Sequence, residues 1–193
     1  LGNSAISPSP LNPTPTQVMT GVAAIGANGD FSLVIKDDGS LWSFGSNEFG
    51  QLGRTNNLTP NPIPTQVMTG VAAVGAGRYH GLVVKSDGTV WSFGRNHFGQ
   101  LGYTANAVPN PTPTQVPGLT DFVAAAGGSF NSVALRADGT VVTFGYGFYG
   151  QLGDSASTDL LPHATPVQAA VVGVTAIAAR EDHVLAVKAD GKL

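Results

Sequence analysis

One ten-residue motif, Phe-Gly-x-Asn-x-Phe-Gly-Gln-Leu-Gly, stands at Phe44–Gly53 and again at Phe93–Gly102. A third version, Phe144–Gly153, has Gly147 where the others have Asn and Tyr149 where they have Phe. The turn glycines Gly39, Gly88, Gly139 and Gly191 keep the same step along the chain. Asn12–Ala24 differs from Asn61–Ala73 only at Thr14 against Ile63. A period of about 50 residues makes one supersecondary unit, which must bury its apolar face against the next. The chain is thereby restricted to a propeller, a solenoid or an array. The expected units run approximately over residues 1–51, 52–100, 101–151 and 152–193, the last incomplete.

Within a unit every signal is β. In the second copy, Thr65-Gln66-Val67 follows a proline cluster and predicts an edge strand, where proline is tolerated. Val71–Ala76 is small and apolar, as an innermost strand crowded near an axis must be. Leu82–Lys85 is a further strand, and Asp87-Gly88 supplies the hairpin turn after it. Val90-Trp91-Ser92-Phe93 alternates two aromatics onto one face, so both tryptophans, Trp42 and Trp91, are expected in the core. Gly and Pro interrupt every stretch that could be helical. The expected fold is all-β, with blades of four antiparallel strands stacked face to face.

Composition narrows the partners. Charged residues are 11% of the chain and the net charge is −3, with nine Lys and Arg spread thinly. Nucleic acid and anionic membranes both require a basic patch that this chain lacks. No apolar run approaches the length of a membrane-spanning helix, and cysteine is absent, which excludes disulfides and thiolate sites.

The ordered set of Gly77-Arg78-Tyr79-His80-Gly81, the Asp-Gly turn, Trp91-Ser92-Phe93-Gly94, Asn96 and Gly99-Gln100-Leu101-Gly102 resembles the regulator of chromosome condensation repeat family. The resemblance covers all four units and implies β-propeller blades, usually seven to a ring. The chain begins at Leu1-Gly2, the end of one motif, and stops at Leu193, just before another would start. It is therefore expected to be an excerpt of a ring of roughly 350 residues. Alone it would be an open arc, with bare blade faces and edges inviting self-association. The family's His is present at His80 and His183, but the position holds Phe31 and Asn131 in the other units. The preceding Gly77 and Gly128 are expected to hold positive φ, which Asn28 would tolerate and Arg180 would not.

No catalytic constellation, cofactor site or metal site is expected. Asp38, Asp87, Asp138 and Asp190 recur once per unit before a turn glycine, which points to local backbone capping. Gln51, Gln100 and Gln151 are expected to bridge backbone groups between blades. His80, His97, His163 and His183 show no metal-ligand spacing, and no Ser sits in a nucleophile elbow. His80 and His183 are expected as buried rings bonded to backbone.

Function is expected in the loops that vary. One set precedes the second strand of each unit, and the other lies inside the Gly-Gln loop. Phe49, Phe98 and Tyr149 recur and are expected to pack between blades. Arg78, Tyr79, Arg95, His97, Tyr146, Phe148, Arg180, Glu181 and Asp182 vary and are the candidate binding-loop residues. The leading expectation is a non-catalytic scaffold that binds a protein partner through rim loops. Low charge and near-identical units suggest a secreted or surface protein of a bacterium. Alternatives are a structural surface repeat and a carbohydrate-binding module. Guanine-nucleotide exchange and ultraviolet sensing, both known in the family, are weaker here. The chain has no wedge-like insertion or basic tail, and only two tryptophans.

Overall fold

The computed structural model describes residues 16–193. The Leu1-Gly2 stub and the first proline cluster lie outside the described residues. Strands β1 (Val22–Asn28), β2 (Phe31–Lys36), β3 (Leu41–Asn47) and β4 (Asn57–Met68) form one antiparallel sheet in that order. The second sheet is β5 (Val71–Ala76), β6 (His80–Lys85), β7 (Val90–Gly94) and β8 (Asn110–Gln115). The third is β9 (Phe122–Gly127), β10 (Asn131–Arg136), β11 (Val141–Gly145) and β12 (His163–Gln168). A two-stranded sheet of β13 (Val174–Arg180) and β14 (His183–Lys188) follows. Among the described residues these are propeller blades, three with four strands and one with two.

The first strands of successive blades, β1, β5, β9 and β13, lie against one another. Their small residues make that approach feasible: a Cβ added to Gly75 would stand 2.5 Å from the Ala125 carbonyl oxygen. One hydrogen bond repeats at each blade junction. The N–H of Val71, Phe122 and Val174 donates to the carbonyl of turn glycine Gly39, Gly88 and Gly139, each at 3.0 Å. The outer strands carry the prolines, where a missing N–H costs no ladder bond. The strand expected at Thr65–Val67 is the outer strand of the first blade, with Gln66 opposite Trp42 and Thr65 opposite Ser43.

The core lies between blades. Leu33, Leu41, Val83 and Phe93 fill the first junction, Leu82, Phe122, Val142 and Phe144 the second, and Val133, Leu135 and Val174 the third. The tryptophans differ from expectation, being half-buried at the rim of the core. Each indole N–H donates to a turn hydroxyl, Trp42 to Ser40 at 2.8 Å and Trp91 to Thr89 at 2.9 Å. Lys36 and Lys85 lie over the rings. The indole nitrogen needs an acceptor, and the turn hydroxyl two residues before it supplies one.

Candidate functional site

Antiparallel order sorts the loops. The connections β1–β2, β5–β6, β9–β10 and β13–β14 leave the blades at the same end as β3–β4, β7–β8 and β11–β12. Eight of the nine candidate residues belong to these loops, and Arg180 ends β13 beside one; the Asp-Gly turns lie at the opposite end. There Asp38, Asp87 and Asp138 each accept from the N–H and hydroxyl of Ser40, Thr89 and Thr140. Those side-chain hydrogen bonds hold the three carboxyls below the ordinary aspartate range.

The Gly-Gln loops of the full blades share a side-chain bond. The hydroxyls of Ser43, Ser92 and Thr143 donate to the carbonyls of Leu52, Leu101 and Leu152 at 2.8, 2.7 and 2.7 Å. Asn47 and Asn96 accept from Leu52 and Leu101 N–H and donate onward to two carbonyls. The third loop lacks this Asn. A Cβ at Gly147 would stand 2.2 Å from the Ser157 carbonyl oxygen, and an Asp154–Ser157 turn takes over. The glutamines depart from expectation: Gln51, Gln100 and Gln151 accept from the N–H of Phe49, Phe98 and Tyr149, each at 2.9 Å. They stiffen their own loops rather than bridge blades, because the side chain reaches only two residues back. The aromatic that precedes each glycine is thereby held in place.

The bridge between blades is made by His80. The ring is fully buried, and its Nε2 lies 2.9 Å from the Ser132 hydroxyl in the third blade. Ser132 donates in turn to the Gln100 carbonyl at 2.7 Å. With its proton spent there, Ser132 must accept from His80, so Nε2 carries the ring hydrogen and Nδ1 is a bare lone pair. Burial pushes the His80 pKa down to about 3. Gly81 occupies the corresponding hydroxyl position in the second blade, and the first blade, with Phe31, needs no acceptor there. The third blade's Asn131 faces a two-stranded blade with Val184 at that position, and its amide has no partner. His183, expected as a buried ring, is exposed among the described residues.

On the loop end a continuous run of rings crosses three blades. Phe49 stands edge-on to Tyr79 at 5.3 Å, Tyr79 meets Phe130 at 6.1 Å, and Phe130 meets Phe98 at 5.2 Å. Phe98 meets Tyr146 at 4.9 Å, which contacts Phe148 and Tyr149. The Arg95 guanidinium lies 4.9, 5.4 and 5.3 Å from the ring centres of Phe49, Tyr79 and Phe130. Arg78 lies 5.1 Å from Tyr79, and His97 stands edge-on to Phe98. Phe148 and Tyr149 are the most open, 42% and 68% exposed. Partial burial, then nearby Tyr149 and Asp182, push the Tyr146 phenol up.

Six of the nine candidates, Arg78, Tyr79, Arg95, His97, Tyr146 and Phe148, thus converge on one ridge. Arg180, at the end of β13, and Glu181 and Asp182, in the β13–β14 turn, sit beside it. Arg180 lines a central opening of about 380 Å³ with Asn28 and Ala76, and the Glu181 carbonyl accepts from Ser129 N–H. The recurring Phe49, Phe98 and Tyr149 belong to the ridge as well. Phe49 and Phe98 both link blades and are half-buried. Phe130 completes the run; its signal was a second aromatic at the position of Tyr79, where the other two units have Asp30 and Asp182.

The regulator of chromosome condensation (RCC1) repeat model matches residues 38–84 and 87–135. A second model of that repeat matches 22–51, 71–100 and 122–151. Human WBSCR16 is similar in structure, with a TM-score of 0.73 and 22% identity over 86% of this chain and 44% of that one. Prp20p from Saccharomyces cerevisiae, described with its binding properties to Gsp1p and histones, gives 0.72 and 20% over 83% and 42%. Yeast RCC1 (Prp20) bound by Kap60 gives 0.74 and 20% over 85% and 41%. The chain spans less than half the length of each of these structures. No curated protein sequence matches it. With the two repeat models covering residues 22–151 without a break, the chain belongs to the regulator of chromosome condensation repeat family.

Proposed function

We propose that this chain is a non-catalytic propeller scaffold that binds a protein partner through the loops at its ridge end. The continuous aromatic run with Arg95 laid across three of its rings carries this reading. Aromatic and arginine side chains dominate the energetics of protein interfaces, and loops already bonded internally lose little entropy on docking. Similar propellers are described with protein partners, Gsp1p, histones and Kap60 among them. Guanine-nucleotide exchange is the weaker reading, since no insertion breaks the repeat period.

We further place the protein outside a bacterial cell, on the low charged fraction and near-identical units. The immobilised protein is expected to retain a partner from the surface and medium fractions of its source culture. A Tyr79→Ala/Phe148→Ala variant, whose rings are half-buried and exposed, should fold normally and lose that partner at least tenfold. Equal retention by the variant would refute the ridge as the site. A partner found only in cytosol would refute the exported placement. Binding on a glycan array, lost in the same variant, would favour a carbohydrate module.

Self-association is a second expected property. Val22 and Ile25, on the first blade's outer face, are 42% and 72% exposed, whereas Val71, the second-blade counterpart of Val22, is 3% exposed. The 193-residue chain should sediment above its monomer mass of 19.6 kDa, with Ile25→Lys shifting it toward monomer. A cooperative monomer at high concentration would exclude this.

A further inference from the structure

The centre of the ridge contains two guanidinium groups with unspent hydrogen-bonding capacity. Arg78 and Arg95 share the Tyr79 ring, at 5.1 and 5.4 Å from its centre. Among the described residues the ion pairs are His163 with Asp159 and Lys192 with Asp190, so neither arginine has a carboxylate partner. Among the described residues neither side chain donates a hydrogen bond, unlike Arg54, which donates to Ser43, and Arg136, which donates to Thr120. The rings position both forks, and Arg95 is half-buried there, so part of its rotamer entropy is already lost. An arginine fork stacked on aromatic rings, with free N–H groups, suits a planar oxyanion, which it binds bidentately.

The surroundings limit what carries that oxyanion. Asp30 and Glu48 line an acidic cleft of about 330 Å³ in the first blade, next to Phe49. Glu181 and Asp182 stand on the far side, on the β13–β14 loop. Arg78 and Arg95 are thus flanked by carboxylates on both sides, with Arg180 at the central opening. An extended polyanion such as nucleic acid would meet repulsion on either side. A peptide with one or two acidic side chains next to an apolar one would meet arginine and ring together.

We propose that Arg78, Tyr79 and Arg95 form a receptor for a short acidic peptide segment, its carboxylate forked by arginine and its apolar neighbour laid on Phe130 and Phe98. This rests on the ridge being a protein-binding surface and adds the chemistry of what is bound. The test is selection of a randomised heptapeptide display library on the purified chain, followed by fluorescence anisotropy of the enriched peptides. Enriched peptides should carry Asp or Glu beside an aromatic or aliphatic residue. Their affinity should fall about tenfold in Arg95→Ala and about fivefold in Arg78→Ala, with Arg95→Lys failing to restore it, because lysine has no fork. Arg78 is exposed, so its variant reports binding rather than folding.

Enrichment of neutral or basic peptides that still depend on Tyr79 would overturn the acidic assignment and leave the protein-binding reading standing. Enrichment of no peptide above a Tyr79→Ala/Phe148→Ala control would overturn both. Displacement of the enriched peptides by a single-stranded oligonucleotide at lower concentration than by free acidic peptide would also overturn the proposal. So would tighter binding of a phosphoserine version than of its glutamate parent.

Discussion

Unfolding of this protein in urea should show stability falling as pH drops below about 6.5, with most of the fall in one junction traceable to His80. The ring is neutral when folded, its pKa pushed down to about 3, and takes up a proton near 6.5 once unfolded. Between those values the unfolded chain binds the extra proton, so acid favours unfolding. The limiting slope is about 1.4 kcal/mol per pH unit, or ~2 kcal/mol lost by pH 5 and ~4 by pH 3.5. Against a total stability of about 5–15 kcal/mol, that decides whether the second and third blades stay together. His80→Asn places in the second blade the residue the third already has, and removes the titrating ring. The difference between the two pH profiles isolates His80 from Asp38, Asp87 and Asp138, whose carboxyls their turn hydroxyls hold below the ordinary aspartate range. The variant is expected to be less stable at pH 7, having lost the Ser132 bond, and to have a flatter profile from pH 6.5 to 4.5. Parallel profiles would mean that protonation of His80 is not opposed by the fold.

Most of the fold was legible because the repeat states it several times over. The Asp-Gly turns, the small inner strands and the apolar β6 and β10 each follow from local pattern, and they stand where the pattern put them. What was less legible depends on neighbouring blades. Whether a histidine is buried is set by the strand opposite, so His80 and His183 share a motif position and differ in exposure. Gln100 was expected to span blades, but its length lets it close on Phe98 first. The rim loops were singled out by their variation alone. That Phe49, Phe98 and Phe130 join Tyr79 and Tyr146 into one run depends on blade spacing, which no single repeat encodes.

Gly77 shows the same dependence and carries the other large expected effect. Its φ is not left-handed, nor is that of Gly128, so the expected conformational reason for glycine does not hold. Positive φ falls instead one residue later, at Gly29 in the first blade and Glu181 in the fourth, which is why Arg180 is accommodated. Gly77 is required for space: a Cβ there would stand 2.1 Å from the His80 ring, and one at Gly128 2.2 Å from the Asn131 amide oxygen. In the first blade the Asn28 amide instead donates to the carbonyls of Ala76 and Gly127, and in the fourth the His183 side chain is exposed. Gly77→Ala should therefore force the His80 ring out, break its bond to Ser132 and cost about 3 kcal/mol, at the upper end of overpacking penalties. The His80→Ala background supplies the decisive comparison. If the ring is what the new methyl meets, adding Gly77→Ala to His80→Ala should cost less than about 1 kcal/mol, a coupling of about 2 kcal/mol. An equal cost in both backgrounds would place the constraint in the backbone around Gly77, where Gly127 approaches its nitrogen, rather than in the ring.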